Sequence, residues 1–421
     1  MAYAGGRNRS SRSVAVMTVT PRSASTMMVG VASVDITPPV GIILAGYHKR
    51  ISTSIGHRLR AEALVCGTGR SRWVYISAET LGFSAPFVRA VRRAIARKTG
   101  IPGTRIMLTV THTHSGPLTY PLRLRRGSRE ALYRQRLDKK LVSLVEKAVR
   151  TASPGTLETT VCQANAWGHN RRVRNADGSW RNEWEDRKGQ HRGYFDGSVM
   201  MLSVRRPAGH LDGLLVNYGS HPVTLGPQSL AISGDYVSYL KDALESQGVA
   251  RTVLFGLGGH ANINPPNCIR KSPRSAQVMG RALATIITAA LPHLRPVVGQ
   301  STGAALVPWL LRCTQETIVG KGLPATFRKG RLVSEVMALR AGDLGMVSVP
   351  GELFSEYVAL IRRDSPLAHT IVLSLGNDYI GYFPTDKAAK EGAYEARAAP
   401  APRLERPLRR VVTLALTAAT R

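Results

Sequence analysis

Short apolar, β-branched runs closed by Gly, Pro or Asp alternate along the chain with longer segments of helical periodicity. The runs at 29–39 (VGVASVDITPP), 61–67 (AEALVCG) and 73–80 (WVYISAET) predict strands. At 83–100, FSAPFVRAVRRAIARKTG places Phe87, Val91, Ala94 and Ile95 on one stripe against arginines. Gly100 stops the segment, so an amphipathic helix is predicted. RIMLTVTHTHSG at 105–116 reads as a buried strand ending in a polar cluster, and 129–152 as a second long helix. Further strands are predicted at 156–166, 198–206, 214–225 and 252–259, and a third helix at 275–291. After an apolar run at 305–312, strands at 334–352 and 369–379 flank a helix at 354–363, and VVTLALTAA at 411–419 suits a strand or a helix. The interleaving predicts one α/β domain, a mixed β-sheet core flanked by helices, over residues 29–421.

Residues 1–28 depart from this pattern. They hold Arg, Ser and Thr, with no acid before Asp35, and their longest apolar run, Val14 to Met17, is too short for a secretory signal. The expectation is a disordered or removed extension, or a start placed too early, with Met27 or Met28 the true one. No apolar run reaches the roughly 18 residues that span a bilayer. A cytoplasmic protein without integral membrane association is expected. The four cysteines (Cys66, Cys162, Cys268, Cys313) form no CxxC pair, so neither a thiolate zinc site nor a secreted mini-protein scaffold is supported.

Charge then widens the picture. With 58 Lys+Arg against 27 Asp+Glu the net charge is +31, which suits nucleic acid, an anionic surface or an anionic substrate. The run Arg123-Leu124-Arg125-Arg126 and the RLERPLRR tail motivate a nucleic-acid reading, but no recognition motif accompanies them. No specific nucleic-acid partner is expected.

The chemistry concentrates at Thr111-His112-Thr113-His114-Ser115-Gly116-Pro117. In a strand, residues i and i+2 share a face, so His112 and His114 would point the same way, suited to metal binding or acid–base work. His221 in NYGSHPVT and Glu352 in MVSVPGE also close apolar strands, and His260 in GLGGHANINPP is a fourth candidate. Catalytic zinc sites take three protein ligands and leave a place for water. Two histidines and one carboxylate would supply them, but spacing alone does not choose among these residues.

GVASVDITPP, Gly46-Tyr47 and THTHSGP, followed in order by Asn170-Arg171-Arg172, the His221 strand, ISGDY ending at Tyr236, VPGE and NDYIGY…YE, resemble the catalytic domain of the neutral, non-lysosomal ceramidases over roughly residues 29–396. The resemblance implies Zn2+ held by His112, His221, Glu352 and Tyr382. It implies catalytic contacts from His114, Arg171 and Tyr394, the last twelve residues after Tyr382. Tyr379 competes with Tyr382 for the ligand role. Two departures stand out. Where the family carries a catalytic serine this chain has Asn262, which keeps a metal-water route open, excludes a serine acyl-enzyme and offers an oxyanion donor. His260 replaces the family's aspartate. The residues beyond the resemblance leave no room for the family's carboxy-terminal immunoglobulin-like domain, so a substrate smaller than ceramide is expected. The expected function is zinc-dependent hydrolysis of an amide in a small, possibly anionic molecule. Ester or lactone hydrolysis, acyl transfer and a non-catalytic member are alternatives, and oligomeric state is not readable.

Overall fold

The computed structural model describes residues 25–120, 124–186, 188–189, 191–313, 327–328 and 330–421. Twelve strands and six helices carry the architecture. The first strands are β1 (Thr26–Asp35), β2 (Arg60–Cys66), β3 (Trp73–Ala78) and β4 (Ile106–Val110). They are followed by β5 (Ser153–Gln163), β6 (Ser198–Arg205), β7 (Leu211–Tyr218) and β8 (Thr252–Leu257). These eight form a sheet in the order β8-β7-β6-β5-β1-β2-β3-β4, with Arg295–Pro296 as a ninth short strand beside β5. The sheet is mixed: β7–β8 and β3–β4 pair in parallel, and the other pairs along the sheet are antiparallel.

A second sheet stacks on the first. It runs β9 (Thr302–Arg312), β10 (Arg331–Ala341), β11 (Leu344–Ser348) and β12 (His369–Leu373), with Phe327–Arg328 beside β10. The strand-forming stretch at 334–352 folds as the β10–β11 hairpin, turned by Gly342 at φ 55°. Between the sheets lies a core of Trp73, Tyr75, Met107 and Leu254 from the first against Met337, Leu339, Met346 and Ile371 from the second.

Helices cover the two outer faces. α1 (Ala85–Thr99), α2 (Arg129–Arg150), α3 (Tyr236–Ser246) and α4 (Arg274–Ala290) cover the first sheet, and α5 (Glu356–Asp364) and α6 (Glu405–Ala419) the second. α2 shows why. Ser128 caps it by accepting from Ala131 N–H, and Leu137, Leu141, Leu144 and Val145 recur on one buried stripe. Each such side chain contributes about 1.5–3 kcal/mol on burial.

The expected α/β class with a mixed sheet is what forms, with the second sheet added. β1 starts at Thr26 and buries Met27, three residues before the expected boundary, while residues 1–24 lie outside the described set, as does Arg123 of the basic run. The basic tail enters α6, whose Leu408, Val411 and Val412 pack inward while Arg409 binds Asp364 at 2.9 Å. The α3 segment was not read as a helix, although Asp235 at its N-cap and the spacing of Tyr236, Leu240 and Leu244 carry the signal. Among the described residues no helix is long and apolar enough to cross a membrane.

Candidate active site

The site forms where the ends of β4, β7 and β8 meet the loop that follows β11. β4 stops at Val110, and the chain turns rather than continuing as a strand. Thr111 N–H and His112 N–H bond to the carbonyls of Ala78 and Thr80, which forces His112 to φ 66°. That left-handed backbone is costly for a residue with a Cβ and persists only where its surroundings fix it. His112 and His114 do meet, with ring centres 5.0 Å apart, but by this turn and not by strand alternation.

β7 and β8 deliver the next two histidines. Beyond them the chains cross so closely that a Cβ on Gly219 would lie 2.5 Å from the Gly259 carbonyl oxygen. The crossing sets His221 and His260 with ring centres 4.5 Å apart. Glu352 opens a two-residue strand paired in parallel with Tyr382–Phe383, directly opposite Tyr382.

Four donor groups converge there: His112, His221, His260 and Glu352, all buried, with ligand atoms within 4.8 Å of one another. The Nδ1 of each histidine faces a backbone carbonyl: Leu81 at 2.6 Å for His112, His260 at 2.8 Å for His221, and Gly258 at 3.1 Å for His260. A carbonyl only accepts, so Nδ1 carries the proton and Nε2 keeps a lone pair. All three Nε2 atoms face the Glu352 carboxylate, at 3.5, 3.1 and 3.5 Å. Tetrahedral ligands about 2.0–2.2 Å from a zinc ion are themselves roughly 3.4 Å apart. The donor set therefore fits such a cation. His260 Nε2 has no hydrogen-bond partner, as expected of a ligand atom.

Electrostatics agree with this assignment. Burial lowers the pKa of His260 and, with Arg171 and His260 nearby, takes His221 down to about 3, so both rings are neutral at neutral pH. Burial pushes the Glu352 carboxyl up, but the surrounding imidazoles outweigh it and hold the group well below its ordinary range. The Tyr379 hydroxyl donates to Glu352 Oε1 at 2.6 Å. Burial and Glu352 keep both the Tyr379 and Tyr382 phenols protonated.

Beside this cluster lies a cavity of about 330 Å³ lined by Tyr47, His114, Arg171, Trp184, Tyr382 and Tyr394. His114 is half-buried, neither of its buried ring nitrogens has a hydrogen-bond partner, and desolvation followed by the neighbouring His112 and His221 pulls its pKa well below the ordinary value. The fit is tight: a Cβ on Gly46, itself at φ 92°, would lie 2.4 Å from the His114 ring. Arg171 is fixed by Glu395 on Nε at 2.9 Å and Asn264 on Nη1 at 3.2 Å, leaving buried Nη2 without a partner. Its guanidinium lies 4.8 Å from the Trp184 ring centre and 5.9 Å from those of Tyr382 and Tyr394.

Asn262 is placed differently from the expectation. Its Oδ1 accepts from Ser355 N–H at 3.0 Å and its Nδ2 donates to Glu356 at 2.9 Å, at the start of α5. Its own carbonyl accepts from Arg171 N–H at 2.8 Å. The amide is used in joining three segments and does not line the cavity, so the oxyanion-donor role is withdrawn. Sequence reasoning also gave no role to Trp184, Asn264 or Glu395. Glu395 closed the YE motif, whereas Trp184 lies in a loop and Asn264 in a two-residue strand paired with His169–Asn170, too short for any periodicity to mark.

A family model described as neutral/alkaline non-lysosomal ceramidase, N-terminal, matches residues 27–255. A search of curated proteins finds no match. Among solved structures, the neutral ceramidase from Pseudomonas aeruginosa is similar with a TM-score of 0.74 at 18% identity, covering 94% of this chain and 74% of that one. A ceramidase complexed with C2 gives 0.72 at 18% identity, covering 94% and 75%. The shared fold, and a family match across more than half of the sequence, lead to one conclusion: the chain belongs to the neutral/alkaline non-lysosomal ceramidase family.

Proposed function

We propose that this chain is a zinc-dependent hydrolase of amide bonds in small molecules. The observation that carries the reading is the convergence of three Nε2 lone pairs on one buried carboxylate, beside a cavity with unpartnered polar atoms. His112, His221, His260 and Glu352 would hold the ion, with Tyr382 opposite Glu352 as the further oxygen donor that the family resemblance implies. Zinc at such a site supplies a Lewis acid and lowers the pKa of bound water to about 7.

The chain's own groups do the rest. Hydrolysis joins the oxygen of water to the carbonyl carbon, breaks the C–N bond and leaves a proton on the departing nitrogen. His114 is neutral and unpartnered at the cavity floor, placed to carry that proton. Arg171 Nη2 is placed to donate to the carbonyl oxygen as negative charge develops there. Tyr394 and Trp184 cover the reacting atoms from the solvent side. Asn262 in the serine's place removes a nucleophile without disturbing this route.

Metal analysis of the purified protein, followed by a hydrolysis screen over N-acyl amines, N-acyl amino acids, esters and lactones, tests the proposal. About one zinc per chain is expected, with amide turnover lost on chelation and restored by Zn2+. Full turnover after exhaustive metal removal, or a stoichiometric adduct with an active-site serine reagent, would overturn it.

A further inference from the structure

The reaction cavity is not the end of the accessible space. Across Trp184 and Ile269, which line both, it adjoins a second cleft of about 1000 Å³. The two differ in chemistry. Aromatic rings wall the first, and its 330 Å³ accommodates an amide with one short substituent. The second lies along the hairpin Arg172–Arg174 with Trp180–Asn182 and the chain that follows, and it presents Arg174, Lys188 and Arg192.

The acids of this cleft are already engaged. Glu183 binds Arg181 at 2.9 Å and faces His191 at 3.6 Å, and Glu185 binds Arg270 at 3.1 Å. Asp186 receives His191 N–H at 2.9 Å. Among the described residues no acid lies within ion-pair distance of Arg174, Lys188 or Arg192, and all three are exposed. At the doorway Arg171 keeps buried Nη2 free of any partner beside Trp184. A surplus of cations thus follows a path that begins at the reacting atoms, where a sphingoid chain would need apolar wall.

We infer that the substrate is an amide with one short apolar substituent held in the aromatic cavity. The other substituent is polar, carries carboxylate or similar anionic groups, and extends past Trp184 onto Arg174, Lys188 and Arg192. This rests on the amide-hydrolase reading above and names its substrate class.

Four probes with the zinc-loaded enzyme test it. N-butanoyl-Glu-Glu places the charge on the amine side of the scissile bond, and the butylamide of N-acetyl-Glu-Glu places it on the acyl side. The corresponding glutamine compounds, the N-butanoyl one as its C-terminal amide, are the neutral partners. In one of the two arms the acidic compound is expected to show about tenfold higher kcat/KM than its neutral partner at low salt. The preference should shrink at 0.5 M salt, where screening shortens to a few ångströms, and vanish in the double variant Arg174→Glu/Arg192→Glu. No preference in either arm, a preference that the double variant leaves intact, or faster hydrolysis of micellar ceramide than of both acidic compounds would overturn the inference while leaving the amidase reading standing. If no amide is cleaved, that reading fails instead. Calorimetric binding of the same four compounds then decides this one, and equal affinity for acidic and neutral partners overturns it.

Discussion

His112, His221 and His260 are each locked by a backbone carbonyl on Nδ1, whereas Arg171, Trp184 and Tyr394 hold one another through ring faces and side-chain bonds. The histidines are buried and follow strand ends, while Trp184 and Tyr394 are both 39% exposed, the first on a connecting segment and the second on the short helix Ala393–Arg397. Backbone-fixed groups are tied to the fold and change only with it. Side-chain-fixed groups can vary without cost to the sheets. On the proposed function, the floor would carry the chemistry and the mouth the selectivity.

Breaking the floor should give the largest effect. Glu352→Gln keeps the shape and removes the charge that faces three imidazoles, so zinc content should fall to near zero and turnover by about a thousandfold or more. Mass spectrometry of the metal and kcat on one N-acyl amine check both. His260→Ala should weaken zinc by about a hundredfold in a chelator competition, and His260→Asp, restoring the family residue, should recover part of it. At the mouth, Trp184→Ala should raise KM about tenfold through the lost face for Arg171 and substrate, with zinc content unchanged. Equal zinc loss in that variant would erase the contrast.

Two smaller effects sharpen it. Asn262→Ala leaves Ser355 N–H and Glu356 without their partner, so stability should drop by about 1–3 kcal/mol, read as a lower melting temperature, with less than a tenfold loss in kcat. A large kcat loss at unchanged stability would return Asn262 to a catalytic role. His169, behind the mouth, is taken down to about 4 by burial and by the neighbouring His191. The unfolded chain binds that proton more readily. The stability it contributes is therefore full above pH 6.5 and lost as the pH falls towards 4, about 3 kcal/mol. Denaturant titrations of His169→Phe should show a flatter profile across that window.

The same division explains what could be read from the residues. Strands closed by polar residues marked His112, His221 and Glu352, because burying a polar group at the end of an apolar run is a local signal. His114 was found for a partly mistaken reason: alternation in a strand predicted its side, and a left-handed turn at His112 delivers it instead. His260 was visible as a histidine among glycines, but its convergence with the others depends on two chains crossing at Gly219 and Gly259, which no spacing encodes. Asn262 was assigned by the residue it replaces, and its bonds to Ser355 and Glu356 run about 90 positions along the chain. The mouth was nearly silent, since Trp184 and Asn264 lie where neither a period of 2 nor of 3.6 applies.

The donors also come from different parts of the double-sheet core. The histidines extend from the first sheet, and Glu352 follows β11 of the second. An ion gripped by both would rivet layers that otherwise adhere through apolar packing and a few hydrogen bonds, such as Trp73 Nε1 to the Arg340 carbonyl at 2.8 Å and Asn217 Nδ2 to the Val372 carbonyl at 3.0 Å. Its affinity would add to the adhesion of the sheets as RT ln(1 + [M]/Kd). On the proposed function, metal supply would then set how firmly the two halves of the body stay closed on each other, and starvation for the ion would loosen the seam before it unravelled either sheet.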